Sequence, residues 1–226
     1  MERFFDILFS GLALLALFPL LILIIIILKF SGEGEVFFFQ ERIGKDGKLF
    51  KLYKFATMLK NSPSLGTGTV TMRDDPRILP VGKFLRKTKI NELPQLLNIF
   101  LGEMSIIGPR PLTAQTFGSY SDTTKAMINH VRPGLSGVGS IIFRREEDIM
   151  HGANASVDFY NNVIAPYKGA LEEWFVINKG TYIYFLAIFT TVWVVLFSET
   201  RVAWIVFKGL PEPPDELKLA LNYTEK

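Results

Sequence analysis

The sequence predicts a small, mostly helical α/β domain attached to a membrane, and three observations carry that expectation. Phe4 to Phe30 is almost wholly apolar, long enough for a membrane helix of about 20 residues. Two β-prone runs flank a short turn at Gly44-Lys45-Asp46-Gly47, the pattern of a hairpin. Ile90, Leu93, Leu96, Leu97, Phe100 and Leu101 follow the spacing of one buried helix face.

Within the first run, Pro19 lacks a backbone N–H and would kink a helix. Two readings follow: a transmembrane span, or a helix-break-helix that enters and leaves on one face. Basic residues barely separate them, since Arg3 precedes the run while Lys29, Arg42, Lys45 and Lys48 follow it; local physics favours the span. No small-residue cleavage pattern precedes Lys29, so the N-terminal segment is expected to stay attached. The hairpin strands are Val36 to Gln40 and Leu49 to Phe55. Lys54 on the second is either a phosphate or membrane-surface contact or an edge-strand lysine that blocks aggregation. Asn61 to Thr71 reads as a loop bordering a site, without the Gly-Lys-Ser/Thr that a glycine-rich phosphate cradle needs. Arg73-Asp74-Asp75-Pro76-Arg77 reads as a turn, with Asp74 and Asp75 as metal ligands the alternative.

The stretch from Gly82 to Pro111 is the centre of the chain. Asn91 suits an N-cap, Glu92 suits the positive end of the helix dipole, and Pro94 fits within the first turn. Free N–H groups there, with Arg86, Lys87, Lys89 and Arg110 nearby, would receive a phosphate; an ordinary capped amphipathic helix fits the local pattern too.

Thr113 to His130 then reads as a polar helix and Arg132 to Gly137 as a rigid loop. Arg132 either grips a pyrophosphate or caps the carbonyls of the preceding helix. Val138 to Phe143 reads as a short apolar strand, followed by the charged Arg144-Arg145-Glu146-Glu147-Asp148, either a selectivity element or solvated surface. Asp158 to Trp174 predicts an amphipathic helix interrupted at Pro166. Thr181 to Phe197 carries no charge and is at the lower length limit for a span; Tyr182, Tyr184, Trp193 and Trp204 suit an aromatic belt at the interface. The expected organisation is a membrane helix over 1–30, one domain over 31–207 with a membrane-contacting helix at 181–197, and a polar tail over 208–226.

The 226 residues are 49% hydrophobic, high for a soluble protein. Without cysteine there is no disulfide or thiolate metal site, and two histidines make a His-based centre a poor expectation. Any metal must be held by oxygen. The net charge of +3 suits either an ordinary soluble surface or a basic face toward anionic lipid or phosphate, and no nucleic acid is expected.

The central motifs resemble the bacterial sugar transferases, the monotopic polyprenol-phosphate phosphoglycosyl transferases. The resembling segments are Gln40-Glu41-Arg42-Ile43-Gly44, Lys54-Phe55-Ala56-Thr57-Met58, Arg86-Lys87-Thr88, Asn91-Glu92-Leu93-Pro94-Gln95, Gly102-Glu103-Met104-Ser105, Gly108-Pro109-Arg110-Pro111 and Arg132-Pro133-Gly134-Leu135-Ser136-Gly137. The resemblance as a whole covers roughly residues 4 to 200. The resemblance implies an N-terminal helix that is re-entrant about a Ser-Pro break, with both ends in the cytoplasm of a bacterium. Pro19 is present, with Phe18 where the serine stands.

The implied reaction moves a sugar-1-phosphate from a UDP-sugar to a polyprenol phosphate and releases UMP, the first membrane step of glycoconjugate assembly. The implied site is an aspartate nucleophile, an assisting glutamate, Mg²⁺ and phosphate-binding cations, on the cytoplasmic face of the inner membrane. Carried over, Glu92 assists and ligates Mg²⁺, while Arg86, Arg110, Lys54 and Arg132 contact phosphate. The nucleophile position, also a metal ligand, is Asn91. A neutral amide is a poorer nucleophile and a weaker Mg²⁺ ligand than a carboxylate. Four readings remain: Glu92 attacks, transfer is direct, the residue was replaced to trap substrate, or the chain is an inactive scaffold that binds lipid phosphate. Membrane lipids are expected partners, and a homodimer is an open alternative.

Overall fold

The computed structural model describes residues 1–65, 75–150, 156–197 and 200–223. A long helix α1 (Glu2–Lys29) leads into strands β1 (Phe37–Ile43) and β2 (Leu49–Phe55). These pair antiparallel, Phe37 opposite Phe55 and Ile43 opposite Leu49, around a turn in which Asp46 and Gly47 take positive φ. Helices α2 (Pro80–Lys87) and α3 (Gln95–Leu101) follow. Next come β3 (Ser105–Ile107), α4 (Ala114–Gly118), α5 (Asp122–Asn129) and β4 (Gly134–Ser136). The remainder is helical: α6 (Val138–Ile142), α7 (Glu146–Ile149), α8 (Val157–Phe159), α9 (Ala165–Asn178), α10 (Thr181–Phe197), α11 (Arg201–Val206) and α12 (Asp215–Lys218). A π-helical segment, Tyr160–Ile164, joins α8 to α9. The fold is mostly helical α/β, with one long apolar helix at its N-terminus.

Helix α1 is 28 residues long, or about 42 Å at 1.5 Å per residue. It runs along the domain. Near its start, Asp6 Oδ1 accepts from Ser105 Oγ, Ile106 N and Tyr184 Oη at 3.0, 2.9 and 2.8 Å, and Arg3 donates to the carbonyls of Ile99 and Phe100 at the end of α3. In the middle, Leu14 and Leu17 pack on Phe50, Leu52 and Ile99. Near its end, Ile24 and Leu28 are buried with Phe55 and Leu85. The expected interruption at Pro19 is absent from the helix, which continues through it.

Several expectations are corrected by packing. The central helix starts at Gln95 with Pro94 at the N-cap, not at Asn91, which belongs to a separate 3₁₀ turn, Ile90–Glu92. The amides of Glu92, Leu93, Leu96 and Leu97 are already bonded to the carbonyls of Lys89, Ile90, Leu93 and Pro94, so no phosphate nest forms at that helix start. The polar helix over 113–130 is two helices, because Ser121 caps α5 by accepting from Thr124 N while Tyr120 turns into the core. Val138 to Phe143 is helical rather than extended; a short apolar run without a period fits either state. The loop after Arg132 contains β4, parallel to β3 with Ser105 opposite Gly134. At Gly134 a Cβ would lie 2.1 Å from Gly108 N, so the close crossing of these strands requires glycine. Pro166 sits in the first turn of α9 and does not interrupt it. The expected polar tail packs back, burying Leu217 and Leu221 in the main core and receiving Trp204 Nε1–H at Leu221 O.

Of the loop over 61–71, residues 66–71 lie outside the described residues, as do Arg73 and Asp74 of the Asp-Asp-Pro turn. Asp75 is buried and ion-paired to Arg77 at 2.6 Å. Arg77 Nη1 in turn donates to the carbonyls of Ser62 and Leu65, which fixes the described part of the loop.

Candidate active site

A cleft of about 400 Å³ opens between the hairpin, the 3₁₀ turn, α4, α7 and α9. Each wall supplies charge from a fixed element. Strand alternation puts Gln40 and Arg42 of β1 and Lys54 of β2 on one face of the hairpin. Arg42 is held there by donating to Pro111 O and Gln40 Oε1 at 2.9 and 2.5 Å. Arg86 comes from the last turn of α2. Lys89 precedes the 3₁₀ turn with φ of 60°, a left-handed conformation that reverses the chain and sends Asn91 and Glu92 inward. Arg110 projects from the Gly108-Pro109-Arg110-Pro111 turn, which is clamped on two sides. Gly134 N donates to Pro109 O at 2.7 Å, and Arg110 N donates to buried Glu172 Oε1 at 3.3 Å.

Glu92 and Lys54 form the central ion pair, 3.2 Å apart with each side chain 18% exposed. Burial by itself would raise the Glu92 carboxyl; Lys54, Arg110 and Lys89 outweigh it and hold the group down at about 2. Burial, reinforced by Arg110 and Arg42, pushes Lys54 down to about 8 against the pull of Glu92. Both groups are therefore ionised at neutral pH. Burial and neighbouring Arg110 lower Arg42 to about 10. Arg110 is raised instead, because Glu92 and Glu146 together outweigh its burial. Asn91 is 5% exposed, and among the described residues its Oδ1 finds no hydrogen-bond partner. An orphaned buried carbonyl costs on the order of 1–3 kcal/mol, which a donor or cation in the cleft would recover.

Of the residues expected at a site, Lys54, Arg86, Asn91, Glu92 and Arg110 all line the cleft. Arg132 does not: its Nε donates to Gly102 O at 2.9 Å, closing the end of α3 rather than that of the helix before it. Arg144 and Arg145 are also outside the lining, and Arg145 pairs with Asp148 at the surface. Lys89, expected beside a phosphate, and Glu146, from the segment read as a selectivity element or solvated surface, line the cleft too; sequence reasoning assigned no site role to Arg42, Tyr160 or Lys168, which also line it. Arg42 and Lys89 had a signal in their place within or beside the quoted motifs. Lys168 had none, since its burial follows from a contact with Glu146, 22 residues away.

No group of three or more His, Cys, Asp or Glu side chains able to hold a metal occurs among the described residues. Glu92 and the unpartnered Asn91 Oδ1 offer oxygen donors for a cation side by side, amid cations, so a pyrophosphate would have to complete the set. The arrangement suits a doubly charged phosphate ligand: several cations surround Glu92 in a partly closed cleft.

Comparison with known proteins agrees with this chemistry. The model of the family described as "Bacterial sugar transferase" matches residues 1–198. The exopolysaccharide production protein ExoY of Sinorhizobium fredii is 38% identical over 171 residues, covering 70% of this chain and 74% of that protein. The UDP-glucose:undecaprenyl-phosphate glucose-1-phosphate transferase of Escherichia coli K12 is 37% identical over 164 residues, 70% of this chain and 35% of the longer relative. The UDP-N-acetylgalactosamine-undecaprenyl-phosphate N-acetylgalactosaminephosphotransferase of Aeromonas hydrophila is 37% identical over 160 residues, with 70% and 36% covered. With five of the seven motifs contributing to one cleft, the chain belongs to the bacterial sugar transferase family and is a phosphoglycosyl transferase.

Proposed function

We propose that the protein transfers a sugar-1-phosphate from a UDP-sugar to a polyprenol phosphate at the cytoplasmic face of a bacterial inner membrane, releasing UMP. The observation that carries the reading is the ionised Glu92 beside Asn91, in a cleft walled by Arg42, Lys54, Arg86, Lys89 and Arg110. Relatives named for undecaprenyl-phosphate sugar transfer support the substrate classes. In this reading Arg110 and its neighbours bind the pyrophosphate. A Glu92 oxygen bonds to the β-phosphorus as the bond to the α-phosphate oxygen breaks, and that electron pair leaves on UMP. A polyprenol phosphate oxygen then attacks the same phosphorus and frees Glu92. Glu92 and Asn91 Oδ1 would hold Mg²⁺, which supplies charge neutralisation for the pyrophosphate when bound.

Membrane placement belongs to the same proposal. Contacts at the start, middle and end of α1 with a single domain support an arrangement in which both helix ends stay on one membrane face. The opposite side of α1 leaves Phe4, Leu12, Leu15 and Phe18 exposed. Helix α10 joins it through Phe5 and Phe185, 4.9 Å apart, and exposes Phe189, Trp193 and Leu196. These apolar side chains suit lipid better than water. Labelling of the N-terminus from outside intact cells would overturn the one-face arrangement.

A second reading, a non-catalytic binder of lipid phosphate, is favoured by the neutral Asn91 and by the pairing of Glu92 with Lys54. UMP release from a panel of UDP-sugars, with polyprenol phosphate and Mg²⁺, decides between them for the protein and for Asn91→Asp. Turnover by the unaltered chain supports Glu92 as nucleophile. Turnover only by the aspartate variant makes Asn91 a disabled nucleophile, and turnover by neither favours the binder.

A further inference from the structure

Beyond the central pair, the cleft contains a second carboxylate that the proposed chemistry does not use. Glu146 opens the single-turn helix α7, and Lys168 on α9 reaches both its oxygens, at 2.9 and 3.0 Å. The lysine side chain is 3% exposed and the carboxylate 26%. Lys168 Nζ also lies 5.3 Å from the Phe143 ring and 5.8 Å from that of Tyr160. Enclosed in this way, Lys168 meets a ligand mainly through the carboxylate it holds. Glu146 is the group that faces the cleft.

Two further observations say what such a group would meet. An ionised carboxylate offers about four lone-pair sites. Lys168 bridges both oxygens and takes one site on each, which leaves one acceptor on the outer edge of each oxygen. Each outer edge can accept from a single hydroxyl of a sugar ring. Arg110, meanwhile, feels the charge of both Glu92 and Glu146, and all three line the one cleft together with Lys54 and Lys168. A phosphate bound at Arg110 is therefore within electrostatic reach of both carboxylates.

We propose that Glu146, fixed by Lys168, accepts a hydrogen bond from a hydroxyl of the donor and thereby selects which donor binds. The hydroxyl belongs either to the transferred sugar or to the ribose of the nucleotide, both of which flank a pyrophosphate. This inference rests on reading the cleft as a sugar-nucleotide site. A buried ion pair is costly to assemble, and a one-turn helix gains little from it structurally.

The test is equilibrium binding, which needs no turnover. The full-length protein in detergent, with Glu146→Ala and Glu146→Gln, is titrated by calorimetry with UDP-glucose, with donors lacking one hexose hydroxyl in turn, and with the 2′-deoxyribose donor. In the unaltered protein, removal of a contacting hydroxyl is expected to weaken binding about tenfold or more. In Glu146→Ala the same removal is expected to change Kd less than about twofold, with Glu146→Gln intermediate. The responsive arm, hexose or ribose, identifies the hydroxyl. Equal factors in protein and variants for every donor, or no donor binding to the unaltered protein, would overturn the proposal. Should thermal melting show Glu146→Ala unfolded, the comparison is read from Glu146→Gln, which keeps the side chain's shape. UMP release is followed separately: donor binding with the expected cycle and no UMP release rejects the transfer reaction while leaving the role of Glu146 intact.

Discussion

Replacing Glu92 by glutamine removes a negative charge from the cleft, and charge counting alone says that a phosphate ligand should then bind more tightly at every pH. The structure leads to a different expectation above neutrality. Lys54 stands 3.2 Å from Glu92 Oε1, and burial has already brought it down to about 8 with that carboxylate in place. At this distance and an effective dielectric near 20, the attraction is on the order of 5 kcal/mol. That is equivalent to between three and four pH units at about 1.36 kcal/mol each. The glutamine carbonyl and entering water offset much of the loss, leaving a fall of at least about one unit. The sign follows directly. Lys54 in the unaltered protein is charged at pH 7 and loses its proton as pH rises through about 8; in Glu92→Gln it does so below about 7. UDP should therefore bind the variant more tightly near pH 6, with that advantage falling to a minimum between about pH 7 and 8, where Lys54 is uncharged in the variant but still largely charged in the parent. Calorimetric titration of both proteins with UDP from pH 6 to 9, at constant ionic strength, measures the ratio of affinities and cancels the ligand's own ionisation. An advantage that is constant across the whole range would refute the reasoning, as would an unshifted alkaline midpoint.

Three further outcomes follow from single contacts. Burial pushes Glu172 up to about 7, above its unfolded value, so the associated stability is complete below about pH 4 and is lost as pH rises through 7. Glu172→Gln keeps an acceptor for Arg110 N and should recover about 2–3 kcal/mol at pH 8 relative to pH 5. This is read as a melting-temperature gain of roughly 5–10 °C, and an identical pH slope in both proteins would contradict it. Asp6→Ala strands three donors, Ser105 Oγ, Ile106 N and Tyr184 Oη, and should destabilise the fold by roughly 3–5 kcal/mol, with Asp6→Asn milder; equal melting of Ala variant and parent would remove Asp6 as the attachment point of α1. Arg132→Ala should lower stability by about 1 kcal/mol and leave the Kd for UDP unchanged within about twofold, whereas a tenfold weaker Kd would return Arg132 to the phosphate site.

The parts of the fold legible in the sequence are those with a long signal or a local one. The membrane helix, the hairpin and the bounds of α10 at Thr181 and Phe197 are of this kind. The misread parts are decided by neighbours. Val138 to Ile142 carries no period, and it is helical because it is enclosed by the main core. The start of α3 depends on Lys89 adopting a left-handed φ, which nothing about a lysine announces. The site divides in the same way. Lys54, Arg86, Asn91, Glu92 and Arg110 fall within or beside contiguous motifs, whereas Glu146 and Lys168 become a pair only once α7 and α9 are brought together.

Helix α1 shows how composition and geometry separate. Its apolar content reads as a membrane span, and only 11% of its most apolar window is buried. Yet Arg3, Asp6, Leu14, Leu17, Leu21, Ile24 and Leu28 touch the domain, flanked by Phe5, Ala13 and Ile25, and buried Ser10 lies between them. Their steps of three and four residues trace one stripe along the helix, the spacing of a packed seam. The polar members at the N-terminal end, Arg3, Asp6 and Ser10, lie on that stripe rather than on the exposed side. A seam along the whole length of the helix is what supports the proposed arrangement with both ends on one membrane face. The same stripe continues on both sides of Pro19, so the proline is accommodated within a helix braced by the domain before and after it.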